Sequence, residues 1–193
     1  GRVRTAAAFC LLPFYFCLIA ACRPAAAPVA VGNQPVSIND RPTTNQPLPP
    51  SKPLADMSWT DPDSRVHKLG DLKGQAVILD FWATYCGPCR EGIPHLNALL
   101  AKHGADNLMI VGLNVGGQED MDKVPEFRKT TKIDYPIAQP EDELSRFIFA
   151  GRTEIPQTAI FDRRGNLVKK LVGFNSTISK ELDAAVEKAV AVN

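Results

Sequence analysis

Residues 76–89 read A-V-I-L-D-F-W-A-T-Y-C-G-P-C, an apolar run that ends on two thiols with only Gly87 and Pro88 between them. The stretch through Val77, Ile78 and Leu79 has the pattern of a strand buried on both faces, which must be covered by further layers. A helix is expected to begin at the thiols. The Cys-x-x-Cys pair itself is open to three readings: a redox couple, half of a zinc site, or a structural bridge.

The rest of the chain narrows these readings. Of five cysteines, Cys10, Cys17 and Cys22 lie in the first 22 residues, and Cys86 and Cys89 are alone in the remainder. That distribution argues against a disulfide-stapled fold. A zinc site would need two more ligands, yet there is no second Cys pair, and His67, His95 and His103 make no zinc pattern, so no metal is expected. With 22 basic and 21 acidic residues in 193, the chain has no basic excess for binding nucleic acid. Its length suits one domain with an appendage.

The appendage is N-terminal. Arg2 and Arg4 precede an apolar stretch from Ala6 to Ala21 that Pro13 interrupts and that is short for a membrane span, as in a secretory signal. It ends in L-I-A-A-C, which resembles the bacterial lipobox and implies that residues 1–22 are a signal whose Cys22 is lipidated. Arg23 stands where an Asp can hold such a lipoprotein in the inner membrane, so either membrane is open. Residues 23–53 carry eight of the chain's 16 prolines and scarcely an apolar period, the composition of a flexible tether. In polyproline form it would reach at most about 90 Å.

From Leu54 the pattern is that of a compact α/β domain spanning 54–193. Leu54–Trp59 and Arg65–Leu69 flank the turn sequence T-D-P-D-S and predict a hairpin. Strands are expected at 76–81 and 108–115, with a helix between them from the Cys pair to about His103, kinked at Pro94. Helices are expected at 121–131, 141–149 and 177–191, and a closing hairpin at 158–161 and 167–172. Together these elements imply a mixed sheet flanked by helices.

F-W-A-T-Y-C-G-P-C-R, with Ile155-Pro156 some 70 residues later before a strand, resembles the thioredoxin superfamily. The N-terminal hairpin, G-D-L-K-G at 70–74 and I-F-D-R-R-G-N at 160–166 resemble its TlpA/ResA-like, membrane-tethered thiol-disulfide oxidoreductases. The resemblance implies a thioredoxin fold with an N-terminal β-hairpin extension, a cis bond at Pro156, and Ile155 offering its backbone to an extended substrate. Trp82 and Tyr85 would shape the apolar rim. Asp80 matches the buried acid that exchanges a proton with the resolving thiol, a position where the TlpA/ResA-like group often has Asn. Gly112 falls where thioredoxins carry a Lys near that acid, and Gly92 falls where the family favours Glu. Arg90 matches a basic family position.

A thiolate is the nucleophile in disulfide exchange, and a Cys at the first turn of a helix has its S⁻ stabilised by free N–H groups and the helix dipole. Cys86 is so placed and should be the nucleophile. Cys89, turned inward, would resolve the mixed disulfide with Asp80 taking its proton. Gly87 admits a close substrate backbone, and Pro88 fixes φ where its missing N–H costs nothing.

The expected function is an extracytoplasmic, membrane-anchored thiol-disulfide oxidoreductase in a bacterial cell envelope that reduces protein disulfides. The alternatives are a disulfide-forming oxidant and a non-enzymatic, tethered peptide-binding module. The expected partners are thiol or disulfide proteins, with apocytochrome c and cytochrome c maturation as one candidate setting, together with a membrane electron donor and the bilayer itself. No cofactor and no nucleic acid are expected, and the chain should act as a monomer.

Overall fold

The structure, a computed structural model, describes residues 50–192. The signal expected at 1–22, its Cys22, and residues 23–49 of the expected tether lie outside the described residues. Seven strands form one mixed sheet: β1 (Ser58–Thr60), β2 (Val66–Lys68), β3 (Ala76–Trp82), β4 (Leu108–Asn114), β5 (Ile137–Pro140), β6 (Gln157–Phe161) and β7 (Leu167–Val172). Their order is β2-β1-β5-β4-β3-β6-β7, with β3, β4 and β5 parallel and the remaining pairs antiparallel. Among the described residues five α-helices accompany it: α1 (Gly87–His103), α2 (Gln118–Met121), α3 (Val124–Thr130), α4 (Asp142–Phe149) and α5 (Ser176–Ala191).

The central strand shows why both faces are covered. Successive side chains of a strand point to opposite faces. Val77, Leu79 and Phe81 of β3 join Val111, Leu113 and Phe161 in a core closed by Leu144 and Ile148 of α4. Ala76 and Ile78 face the other way and pack with Leu96 and Leu99 of α1 and Leu182 and Val186 of α5. Asp80 and Trp82 share this second face. At its end Trp82, Cys86, Cys89, Val124 and Ile137 form a separate small cluster.

Three local expectations are corrected, and one strand is added. Leu54–Asp56 is a 3₁₀ turn rather than strand, closed by the Met57 N–H donating to the Leu54 carbonyl. A second 3₁₀ turn starts at Leu69, where the hairpin was expected to end. The helix expected at 121–131 is α3 alone, which starts only at Val124 with Pro125 in its first turn, and the separate short α2 before it ends at Met121. Strand β5 was not anticipated: it has four residues, ends on Pro140 and follows Pro136, so it carries the marks of a loop. Helix α1 runs continuously through Pro94.

Candidate active site

Strand β3 delivers the chain to the start of α1 through the loop Ala83–Tyr85. Cys86 is the N-cap of this 17-residue helix, and its Sγ accepts from the Cys89 N–H at 3.2 Å. The two sulfurs form a disulfide of 2.08 Å with 5.3 Å between the Cα atoms. Cys86 keeps 7% exposure and Cys89 2%. Gly87 and Pro88 between them face solvent. Across from the pair the Ile155–Pro156 peptide is cis, and the Ile155 carbonyl oxygen lies 3.7 Å from Cys86 Sγ.

The two aromatic residues have different places. Tyr85 is 70% exposed beside the pair. Trp82, expected at the rim, is instead part of the floor: it is 2% exposed, since its parity on β3 turns it under the helices, where it packs against Phe127 at 5.4 Å between centroids. The Arg90 guanidinium lies 5.6 Å from the same Phe127 ring, a cation–π contact from above. The Trp82 indole N–H, buried and without a hydrogen-bond partner among the described residues, sits 3.0 Å from where a Cβ on Gly112 would be, and the Tyr135 ring sits 3.1 Å from that point. The glycine at that position therefore makes room for two rings.

Asp80 stands between Thr158 and Gly112 in the sheet register. It is 3% exposed, and its carboxylate accepts a 2.9 Å bond from Thr158 Oγ1. Burial pushes its pKa up to about 6, with the Thr158 bond opposing the shift. The buried Tyr135 phenol is held well above its usual range by burial and then by the Asp80 charge, which places the two groups within electrostatic reach.

A residue not singled out from sequence, Asp120, completes the surroundings. It is 2% exposed and accepts from Thr84 N–H at 2.9 Å, from Thr84 Oγ1, and from Asn114 Nδ2 at 2.6 Å. Nothing in the string G-G-Q-E-D distinguishes it from Glu119 beside it, which is exposed.

A groove of about 690 Å³ opens beside the pair, bordered by Tyr85 and Ile155 and continuing past Asn114, Gln139, Phe149 and Arg152. The three histidines lie apart from one another in their pairings: His67 bonds Asp61, His95 bonds Asp183, and His103 Nε2 is 3.5 Å from Glu187.

Residues 50–170 match the AhpC/TSA family. Thiol-disulfide oxidoreductase ResA of Geobacillus thermodenitrificans (strain NG80-2) is 30% identical over 127 residues, covering 65% of this chain and 69% of that protein. ResA of Bacillus subtilis (strain 168) is 28% identical over 113 residues, covering 58% of this chain and 62% of that protein. A thiol:disulfide interchange protein of the thioredoxin family from Chlorobium tepidum TLS superposes with a TM-score of 0.59 at 28% identity, covering 73% of this chain and 99% of that one. The chain belongs to the AhpC/TSA family of thioredoxin-fold proteins and is a TlpA/ResA-like thiol-disulfide oxidoreductase.

Proposed function

We propose that this oxidoreductase works as a lipid-anchored, extracytoplasmic reductase of protein disulfides, with Cys86 as nucleophile and Cys89 as resolving thiol. In the dithiol state the Cys86 thiolate attacks one sulfur of a substrate disulfide, forming a mixed disulfide and releasing the other sulfur as a thiolate. Cys89 then gives its proton to the Asp80 carboxylate and attacks Cys86 Sγ. The Cys86–Cys89 disulfide forms and the second substrate sulfur leaves as a thiolate. Two electrons have passed to the substrate, and a dithiol donor on the membrane must return them.

The observation that carries this reading is the place of the Cys86 sulfur, at the N-cap of α1 and beside the carbonyl of Ile155, a residue that borders the groove. A substrate cysteine in an extended segment could pair with the Ile155 backbone while a neighbouring side chain enters the groove past Tyr85. Asp80 suits the proton transfer, because a carboxyl that titrates near pH 6 is ionised at neutral pH yet basic enough to accept a proton. Apocytochrome c is one substrate of the required kind.

Turnover of insulin disulfides with a dithiol donor tests the chemistry. Cys86→Ser should abolish it, since no other thiol of the 54–193 domain can start the exchange, and Cys89→Ser should instead accumulate mixed disulfides through Cys86. Substantial activity in Cys86→Ser would show that the nucleophile is misassigned. The anchor rests on Cys22 and its lipobox-like setting. Cys22→Ser should leave the processed protein in the soluble fraction with its redox activity intact, and its retention on membranes would rule the lipid anchor out.

A further inference from the structure

We propose that Asp120 is the positioning residue of the nucleophile, holding the loop that carries Cys86 through three hydrogen bonds from Thr84 and Asn114. This rests on Cys86 being the attacking thiol. Thr84 lies two residues before Cys86, and both its N–H and its Oγ1 donate to the Asp120 carboxylate. The third bond, from Asn114 Nδ2, ties the same carboxylate to the end of β4. Asn114 is itself oriented, because its Oδ1 accepts from the Gly116 N–H at 3.0 Å.

The turn is built around the acid. A Cβ on Gly116 would lie 2.5 Å from Asp120 Cβ and 2.7 Å from Cγ, so only a glycine lets the carboxyl come this close. Gly117, at φ +79°, then opens α2 so that Asp120 falls in its first turn. Burial alone would raise the pKa of Asp120. The bonds from Thr84 and Asn114, with the Lys123 charge nearby, outweigh it and hold the acid below its usual range, so it is ionised throughout the working pH. The carboxylate is thus a permanent acceptor for a loop whose end is also closed by the Cys86 N–H donating to the Ala83 carbonyl at 3.2 Å. Its loss would free Cys86 to move relative to the Cys89 N–H and the start of α1, the groups that stabilise its thiolate.

Two substitutions separate the hydrogen bonds from the charge. In Asp120→Asn the amide oxygen still accepts from Thr84 N–H and Asn114, while the amide NH₂ donates to Thr84 Oγ1, whose hydroxyl turns to accept. In Asp120→Ala all three bonds are gone. Both variants lack the charge, so the difference between them isolates positioning. The reduced proteins are alkylated with iodoacetamide across pH, in a Cys89→Ala background so that only Cys86 of the domain reacts. The midpoint for Asp120→Ala should lie about one pH unit above that for Asp120→Asn. In the two-thiol proteins, insulin turnover should fall about tenfold to about a hundredfold in Asp120→Ala and stay within about threefold of wild type in Asp120→Asn.

If Asp120→Ala does not fold, Thr84→Val, which removes only the hydroxyl bond at matched volume, should raise the midpoint in the same direction by a smaller amount. Wild-type midpoints in the folded variants, or equal losses in Asp120→Asn and Asp120→Ala, would overturn the proposal. A failure of the reductase reading shows separately, as absent turnover in the wild-type protein.

Discussion

At Asp80 a carboxyl is enclosed by a sheet, with Thr158 on one neighbouring strand, Gly112 on the other and a single hydrogen bond from the Thr158 hydroxyl. One bond does not replace the water a carboxylate loses, so the charged form is disfavoured and the pKa rises to about 6. The folded value lies above the unfolded value of about 4, so the native state prefers the protonated acid. Stability linked to this group is complete below pH about 4 and is lost as pH rises through about 6. The gap corresponds to about 3 kcal/mol at neutral pH. Asp80→Asn should therefore stabilise the oxidised protein toward urea at pH 7.5 and leave it nearly unchanged at pH 4, while slowing turnover near neutrality, because an amide cannot accept the proton of Cys89. A urea midpoint that does not rise at pH 7.5, or an unaltered pH–rate profile, would remove Asp80 from the mechanism. The acid was legible in sequence because it interrupts an apolar strand six residues before Cys86. Asp120 was not, because its burial depends on a turn that brings it back against Thr84, a contact between positions 36 apart.

Helix α1 was legible almost to the residue, because Pro88 opens it and Ile93, Leu96 and Leu99 recur at helical spacing. What covers its face was not. Gly92, at a position where the superfamily favours Glu, is buried against Phe174 from the segment between β7 and α5, with 3.2 Å from its would-be Cβ to the ring. The aromatic ring takes the space that a longer side chain would need. The same ring lies 5.9 Å from that of His95, one turn further along α1. Gly92→Ala should be near neutral toward urea, since the helix-propensity gain of about 1 kcal/mol opposes the tight contact. Gly92→Glu must displace Phe174 and should lose about 1–3 kcal/mol. Equal urea midpoints for Gly92→Glu and wild type would show that Phe174 yields freely. Strand β5 escaped the sequence for a related reason. Its pairing with β4 on one side and β1 on the other makes it a strand, and four residues that follow one proline and end on another hold no periodicity that says so.

Across the whole molecule, the direction of electron flow is set by how strongly the fold stabilises the Cys86 thiolate relative to the disulfide. Couples whose reduced form is heavily stabilised sit near about −120 mV and act as oxidants, whereas thioredoxin sits near about −270 mV. Two features here act in opposite directions. The N-terminus of α1 and the Cys89 N–H, 3.2 Å from the Cys86 sulfur, favour the thiolate. The buried Asp80, ionised above about pH 6 on the same face of the sheet, disfavours a second negative charge nearby. Gly-Pro between the thiols adds no further cation. The reduced state is thus only moderately favoured, and the dithiol should be a good donor. The potential is expected below about −220 mV at pH 7. Asp80→Asn removes the opposing charge, so it should move the couple toward a more oxidising value. A glutathione redox titration that placed the wild-type couple above about −160 mV would exchange the reductase for the oxidant, with the same residues running the reaction in reverse.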